Sequence, residues 1–333
     1  KETTITEKYN VIESLYKYKS KKPAFKEQDI DSISCIPEWS CGRKIRIDLV
    51  IEIKLKQVSK SVWLVFEVKT DSIPYEKQLE NTRDTFIKPG DDVEYFLLLV
   101  GTSMIFERKF DGRYDFKTIT NQELFDIFNC FKNSFKPLTI VIDWTDALRR
   151  EISRFNNVEA NLKNVPDGNL YNRAYWEGYG YRCWFPLFFC IYEKLRKNLD
   201  FPGDWEIESG SNNPVMNWKK SWLDINCDNK NYKTYFEFHG DCYCFKVEID
   251  KDKEKIGRDD LNQFRDNMIG GIEKIQGINL SGEISQRRYG KSNTIYKWKC
   301  EFGKRNLNEI AGEVNAINKN ILPILGGKEC PSP

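Results

Sequence analysis

Residues 45–55, IRIDLVIEIKL, alternate without a break: Ile45, Ile47, Leu49, Ile51, Ile53 and Leu55 interleave with Arg46, Asp48, Val50, Glu52 and Lys54. A period of two belongs to an extended chain, whose successive side chains point to opposite faces, so this segment is expected to be a strand with one buried face. The segment SVWLVFEVK, 61–69, is apolar almost throughout until Glu67 and Lys69, as in a central strand covered on both sides. The stretch between them, 56–60, is too short for a parallel crossover, which needs about a dozen residues. An antiparallel hairpin is expected.

The flanking segments supply partners for this hairpin. Tyr9, Ile12 and Tyr16 recur at helical spacing within 6–18, with Thr6 as the expected cap. A second helix is expected from Pro74 to Phe86, with proline in its first turn. EYFLLLVG, 94–101, reads as a buried strand, and 120–131 as a helix with a Thr120/Glu123 capping box. One more short strand is expected near Cys35. Together these make a mixed α/β layer over residues 1–136.

After Pro137 the pattern loosens, and residues 137–333 are expected to hold a helical segment and an α+β domain. Helices are expected at 146–163, 186–199, 258–275 and 306–321. Strands are expected in WEIES, VMNWKKSWLDI, YKTYFEF and CYCFKVEID, and at 294–302. Aromatics and arginines interleave from Tyr171 to Phe189, which suits either base stacking or a core. The run Asp250 to Glu254 is expected to be a turn, and the tail GGKECPSP to fray.

Composition removes several kinds of chemistry. His239 is the single histidine, so paired-histidine metal sites and HExxH proteases are excluded. No GxSxG elbow, phosphate-binding GxxxxGK[ST] loop or GxGxxG turn occurs. Ten cysteines are scattered without a CxxC pair, as expected of reduced thiols, and Cys242 and Cys244 are expected to share one strand face. No apolar run reaches the ~18 residues of a membrane span, and the polar start shows no signal segment. A cytoplasmic location is the expectation. The formal charge of +2 means that any nucleic-acid binding must rest on a local patch. Lys8, Lys17, Lys19, Lys21, Lys22 and Lys26 offer one, or simply a solvated face.

What remains is chemistry by carboxylates, lysine and a metal. Glu67 and Lys69, two apart in a strand, project from one face. A turn centred near Val58 sets Asp48 opposite Val68, and a half-residue shift would set it opposite Glu67. Two carboxylates in one locality can hold Mg²⁺ or Mn²⁺, hard cations that favour oxygen ligands. Lys69 can orient or deprotonate an attacking water, or stabilise charge growing on phosphorus. A cross-strand Asp48–Lys69 salt bridge on a solvated face would explain the same residues without chemistry.

Asp48, followed after a hairpin by Glu67-Val68-Lys69, resembles the PD-(D/E)XK nuclease superfamily over about residues 5–131. The resemblance implies an αβββαβ restriction-endonuclease-like core with a mixed sheet. It implies Mg²⁺- or Mn²⁺-dependent hydrolysis of phosphodiesters, DNA first, in a restriction or phage-defence setting. RNA stays open, since nothing reads a 2′-hydroxyl, and cutting both strands of a duplex would imply a homodimer. By resemblance Gln78, one turn into the following helix, matches a glutamine that supports the metal site. Thr82 stands where one branch of the superfamily has tyrosine, and Ile47 where many members have proline. A glutamate from the first helix often joins the site; Glu13 is preferred here over Glu7. The alternative is a catalytically silent nuclease-fold module that binds DNA or protein.

Overall fold

In a computed structural model the chain is described over residues 3–41, 45–56, 60–131, 139–165, 170, 172–178, 185–209, 214–218, 223–228, 230–249 and 256–324. It divides into two compact units, Lys1–Asn156 and Asn157–Pro333. The break falls one helix after the boundary expected at residue 136.

The first unit begins with α1 (Ile5–Tyr18), followed by β1 (Ile30–Cys41), β2 (Ile45–Leu55) and β3 (Ser61–Thr70). Next come α2 (Glu76–Thr85), β4 (Asp92–Val100), α3 (Glu107–Phe110), β5 (Phe116–Thr120), α4 (Asn121–Cys130) and α5 (Thr139–Asn156). The sheet order is β1-β2-β3-β4-β5, antiparallel from β1 to β3 and parallel from β3 to β5. Connection length explains the mixture: the short link after β2 permits only a hairpin, whereas α2 carries the chain back over the sheet between β3 and β4.

Several expectations need correction. The cap of α1 is Thr4, not Thr6. Thr4 and Glu7 close a reciprocal box, while the Thr6 hydroxyl turns to Glu27. Pro74 stays outside α2, because its cap Tyr75 is extended. The strand near Cys35 is not short but spans 12 residues. Its internal Pro37 and polar residues hide its length in the sequence, and an edge position tolerates both. β5, only five residues long, gave too brief an alternation to be expected. Nor does β2 bury a single face, since Val50 is as inaccessible as Ile47 and Ile53.

Two-sided cover explains the last point. On one face Val62, Leu64 and Phe66 of β3 form a core with Ile12, Leu15 and Tyr16 of α1, Leu124 and Ile127 of α4, and Leu148 of α5. Phe66 stacks on Phe96 of β4 within it, ring centres 5.2 Å apart. The other face carries Val50 and Val65, and α2 packs there against β2. Phe86, which ends α2, meets the rings of Trp39 and Trp63 edge-on.

The second unit contains α6 (Val158–Lys163), α7 (Arg173–Gly178) and α8 (Phe185–Arg196), then β6 (Trp205–Ser209), β7 (Pro214–Trp218), β8 (Leu223–Cys227), β9 (Lys230–His239) and β10 (Cys242–Glu248). It closes with α9 (Arg258–Ile272), β11 (Ser281–Ile284), β12 (Ser292–Lys299) and α10 (Leu307–Ile324). Among the described residues its strand pairs are antiparallel, in the order β11-β12-β10-β9-β7-β6, with β8 also on β9. VMNWKKSWLDI is thus two strands, and the helix expected over 146–163 is split between α5 and α6. One sheet face holds Trp205, Phe236, Phe238, Tyr243 and Trp298, with Tyr192 of α8 against Phe238. The opposite face holds Glu237 and Lys246, both buried and paired at 2.7 Å, with His239 3.6 Å from Glu237. Cys242 and Cys244 lie on that same face, opposite His239 and Glu237. Tyr171, residues 179–184, the run 250–254 and the tail from 325 lie outside the described residues, so the readings placed on them stand untouched.

Candidate active site

β3 turns Glu67 and Lys69 away from the α1 core, toward the face that α2 covers, because Phe66 between Val65 and Glu67 is committed to that core. The β2–β3 register pairs Leu49 with Phe66 and Val50 with Val65. Continued by one residue, it sets Asp48 opposite Glu67, the half-residue alternative and not the Val68 pairing. Asp48 Oδ2 accepts the backbone N–H of Val68 at 2.7 Å, which anchors the carboxylate across the strand gap. Its other oxygen is free of that bond.

Glu67 is fully buried. Its oxygens are held separately: Gln78 Nε2 donates to Oε2 at 2.8 Å, and Thr82 Oγ1 donates to Oε1 at 2.9 Å. Gln78 and Thr82 are four apart in α2 and share a helix face, so one helix supplies both donors. Lys69 Nζ donates to Gln78 Oε1 at 2.8 Å and stands 3.8 Å from Glu67 Oε2. Gln78 therefore bridges the acid and the amine, one end of its amide on each.

Electrostatics make Glu67 an unusual carboxyl. Burial, and next the neighbouring charge of Asp48, push its pKa up from 4.5 to about 7, against the pull of Lys69 and the Thr82 hydrogen bond. The Asp48 side chain is also within hydrogen-bonding reach of it. Two carboxylates this close resist joint ionisation, and a cation between them would relieve that. Hard oxygen donors of this kind suit Mg²⁺ or Mn²⁺, which retain waters and take further oxygens from a substrate phosphate. Among the described residues no group of three or more His, Cys, Asp or Glu side chains stands ready to hold a metal. The protein's share of such a site would be Asp48 and Glu67.

The strand ends beside the site are fixed by buried polar contacts. Asn121, at the start of α4, accepts from Gly101 N–H and donates to Gly101 C=O. Gly101 has a left-handed φ of 65°, and a Cβ there would collide with the Asp71 carboxylate, which itself accepts from Thr102 N–H.

Glu13 does not join the group. α1 lies on the opposite sheet face, where Glu13 pairs with Lys17 at 3.7 Å. Glu7 is spent on the helix cap. The lysine patch is also reduced: Lys19 and Lys21 both pair with Glu94, and Lys19 is largely buried. Thr82, by contrast, enters as a partner of Glu67. Its spacing of four from Gln78 was the available signal.

Comparison with known proteins sets nothing beside this geometry: no family model, no curated protein and no solved structure matches the chain. No helix among the described residues is long and apolar enough to cross a membrane.

Proposed function

We propose that the first unit is a Mg²⁺- or Mn²⁺-dependent nuclease of the PD-(D/E)XK kind, hydrolysing phosphodiester bonds in DNA. The observation that carries the proposal is the buried Glu67 carboxyl, facing Asp48 and tied through Gln78 to Lys69. A purely structural salt bridge has no need of a second carboxylate that raises the pKa of the first. The order α1, three antiparallel strands, a crossover helix and a parallel strand agrees with an αβββαβ core.

Asp48 and Glu67 would hold the cation. When bound, it would neutralise the scissile phosphate and acidify a water. Lys69, its Nζ held by Gln78, would direct a hydrogen bond to the attacking water or to the oxygens that gain charge. Thr82 keeps the second Glu67 oxygen from rotating out of place. Cutting both strands of a duplex would call for two such sites in a homodimer.

A second reading, a silent module that binds DNA or protein through the same fold, draws support from one feature: both Glu67 oxygens are already satisfied by protein donors. Incubation of plasmid DNA and of single-stranded DNA and RNA with the protein and Mg²⁺, Mn²⁺ or EDTA separates the two. Metal-dependent cleavage that disappears in Asp48→Ala and Lys69→Ala is the expected result. Cleavage that survives both substitutions would remove this site from the proposal, and no cleavage of any substrate would favour the silent module.

A further inference from the structure

A groove of about 360 Å³ lies in the second unit between α9 and the β11 end. Arg265 lines it from within α9 and is only 3 % exposed. Its guanidinium is poorly satisfied. Nη1 reaches the Gln286 and Thr294 carbonyls at 3.3 and 3.4 Å, Nη2 reaches Ile295 C=O at 3.5 Å, and Nε–H has no partner among the described residues. These contacts sit at the long limit of a hydrogen bond and carry no formal negative charge.

Neither acid on the rim forms an ion pair with it. Asp266 is engaged by Arg287 Nη2, 2.9 Å from each carboxylate oxygen. Glu273, exposed, stands further along the rim. A buried cation without a charged partner is costly, and groups of this kind are normally paired. The rest of the wall is apolar or small: Ile269, Gly270, Ser285 and Ile284, the last 54 % exposed although large and aliphatic.

We infer that this groove binds a small organic oxyanion, a carboxylate or phosphoryl group facing Arg265 and an apolar body lying on Ile269 and Ile284. The planar guanidinium fork fits either head group. Arg265 and Arg287 balance Asp266 and Glu273 in charge, which favours a small anion over the polyanionic backbone of a nucleic acid. The inference stands apart from the nuclease reading, since no residue is shared.

Gly270 provides the test. Gly270 lines the groove, and a Cβ built there meets nothing within 4 Å, so Gly270→Leu starts from open space, adds helix propensity and puts bulk at the groove wall. Benzoate and phenyl phosphate are titrated into the full chain by calorimetry at constant ionic strength, each against wild type and Gly270→Leu. The expected result is binding of at least one by wild type, weakened about tenfold or more in the variant, about 1.4 kcal/mol. Benzoate alone would assign a carboxylate, and phenyl phosphate alone a phosphoryl group. Equal binding by both proteins, or no binding by wild type, overturns the inference. Displacement of the bound ligand by a single-stranded oligonucleotide would also overturn it, because the groove would then serve a nucleic-acid backbone.

Discussion

Thr82 Oγ1 donates to Glu67 Oε1 at 2.9 Å, and neither side chain reaches solvent. The bond ties α2 to β3 at the point where the sheet carries its buried acid. It is also one of the two contacts that lower the Glu67 pKa against burial. Thr82→Val keeps the shape and removes the donor. The expected cost is about 1–3 kcal/mol at pH 8, measured by urea unfolding, because a buried acceptor loses its partner. Thr82→Ser should recover most of it. A valine variant as stable as wild type would show that this bond holds nothing.

Glu67 also makes stability depend on pH in a definite direction. Its pKa is pushed up from 4.5 to about 7 in the folded chain. Between those values the folded state keeps a proton that the unfolded chain has released, so stability falls as pH rises from about 4.5 to 7, by about 3 kcal/mol at most. Asp241, also pushed up to about 7 by burial, adds a slope of the same sign. The measurement is therefore a difference: wild type against Glu67→Gln, unfolded in urea with EDTA at pH 5 and pH 8. The variant should lose less stability between the two. Identical losses would place the Glu67 pKa near its ordinary value.

A divalent cation should reverse that trend. Bound by Asp48 and Glu67, it would stabilise the folded state in proportion to its concentration over Kd. Mg²⁺ or Mn²⁺ at 100 times Kd should add about 2.7 kcal/mol at pH 8, and Ca²⁺ can serve where turnover must be avoided. Asp48→Asn keeps an oxygen for the Val68 N–H but removes the charge, so it should fold normally and lose the metal response. Thermal melts with and without cation check this. A shift of equal size in both proteins would put the cation elsewhere.

Catalytic loss should follow residue by residue. Asp48→Asn and Lys69→Met are each expected to lower kcat by about 10³-fold, the scale seen when one preorganised charge or donor is removed. Gln78→Ala, which removes the amide bridging Lys69 and Glu67, should act less severely, near 10²-fold by the same reasoning. Circular dichroism on each variant separates a lost function from a lost fold. A Lys69→Met variant that cleaves DNA as fast as wild type would remove Lys69 from the proposed chemistry.

Gly101 and Asn121 test the frame that holds the strand ends. Asn121→Ala removes the side-chain partner of two buried backbone groups of Gly101 and should cost about 1–3 kcal/mol. Gly101→Ala combines a left-handed backbone with the collision against Asp71, and should be at least as damaging. Both are read by denaturant midpoint. Tolerance of alanine at 101 would mean that Asp71 moves aside freely.

Much of this was legible in the amino-acid order, and for local reasons. The alternation in 45–55 made β2, the apolar run in 61–69 made β3, and the short link between them allowed only a hairpin. The period of two alone put Glu67 and Lys69 on one face, and Thr120 with Glu123 announced the start of α4. Features that local pattern does not encode were lost: the full length of β1, whose proline and polar residues left only a short strand near Cys35 in view; β5, too short to show a period; and the true cap of α1, where two threonines compete.

The sequence by itself therefore determined which side chains share a strand face and how far apart in the chain they lie, because extended and helical backbones have fixed periods. Only the tertiary structure decided that Asp48 stands opposite Glu67, that α2 brings Thr82 as well as Gln78 to the acid, and that α1 carries Glu13 to the far face. Those outcomes depend on the half-residue registration of a hairpin and on which helix covers which face of the sheet. Both are settled by packing between segments distant in the chain, and the burial that raises the pKa of Glu67 exists only once that packing is complete.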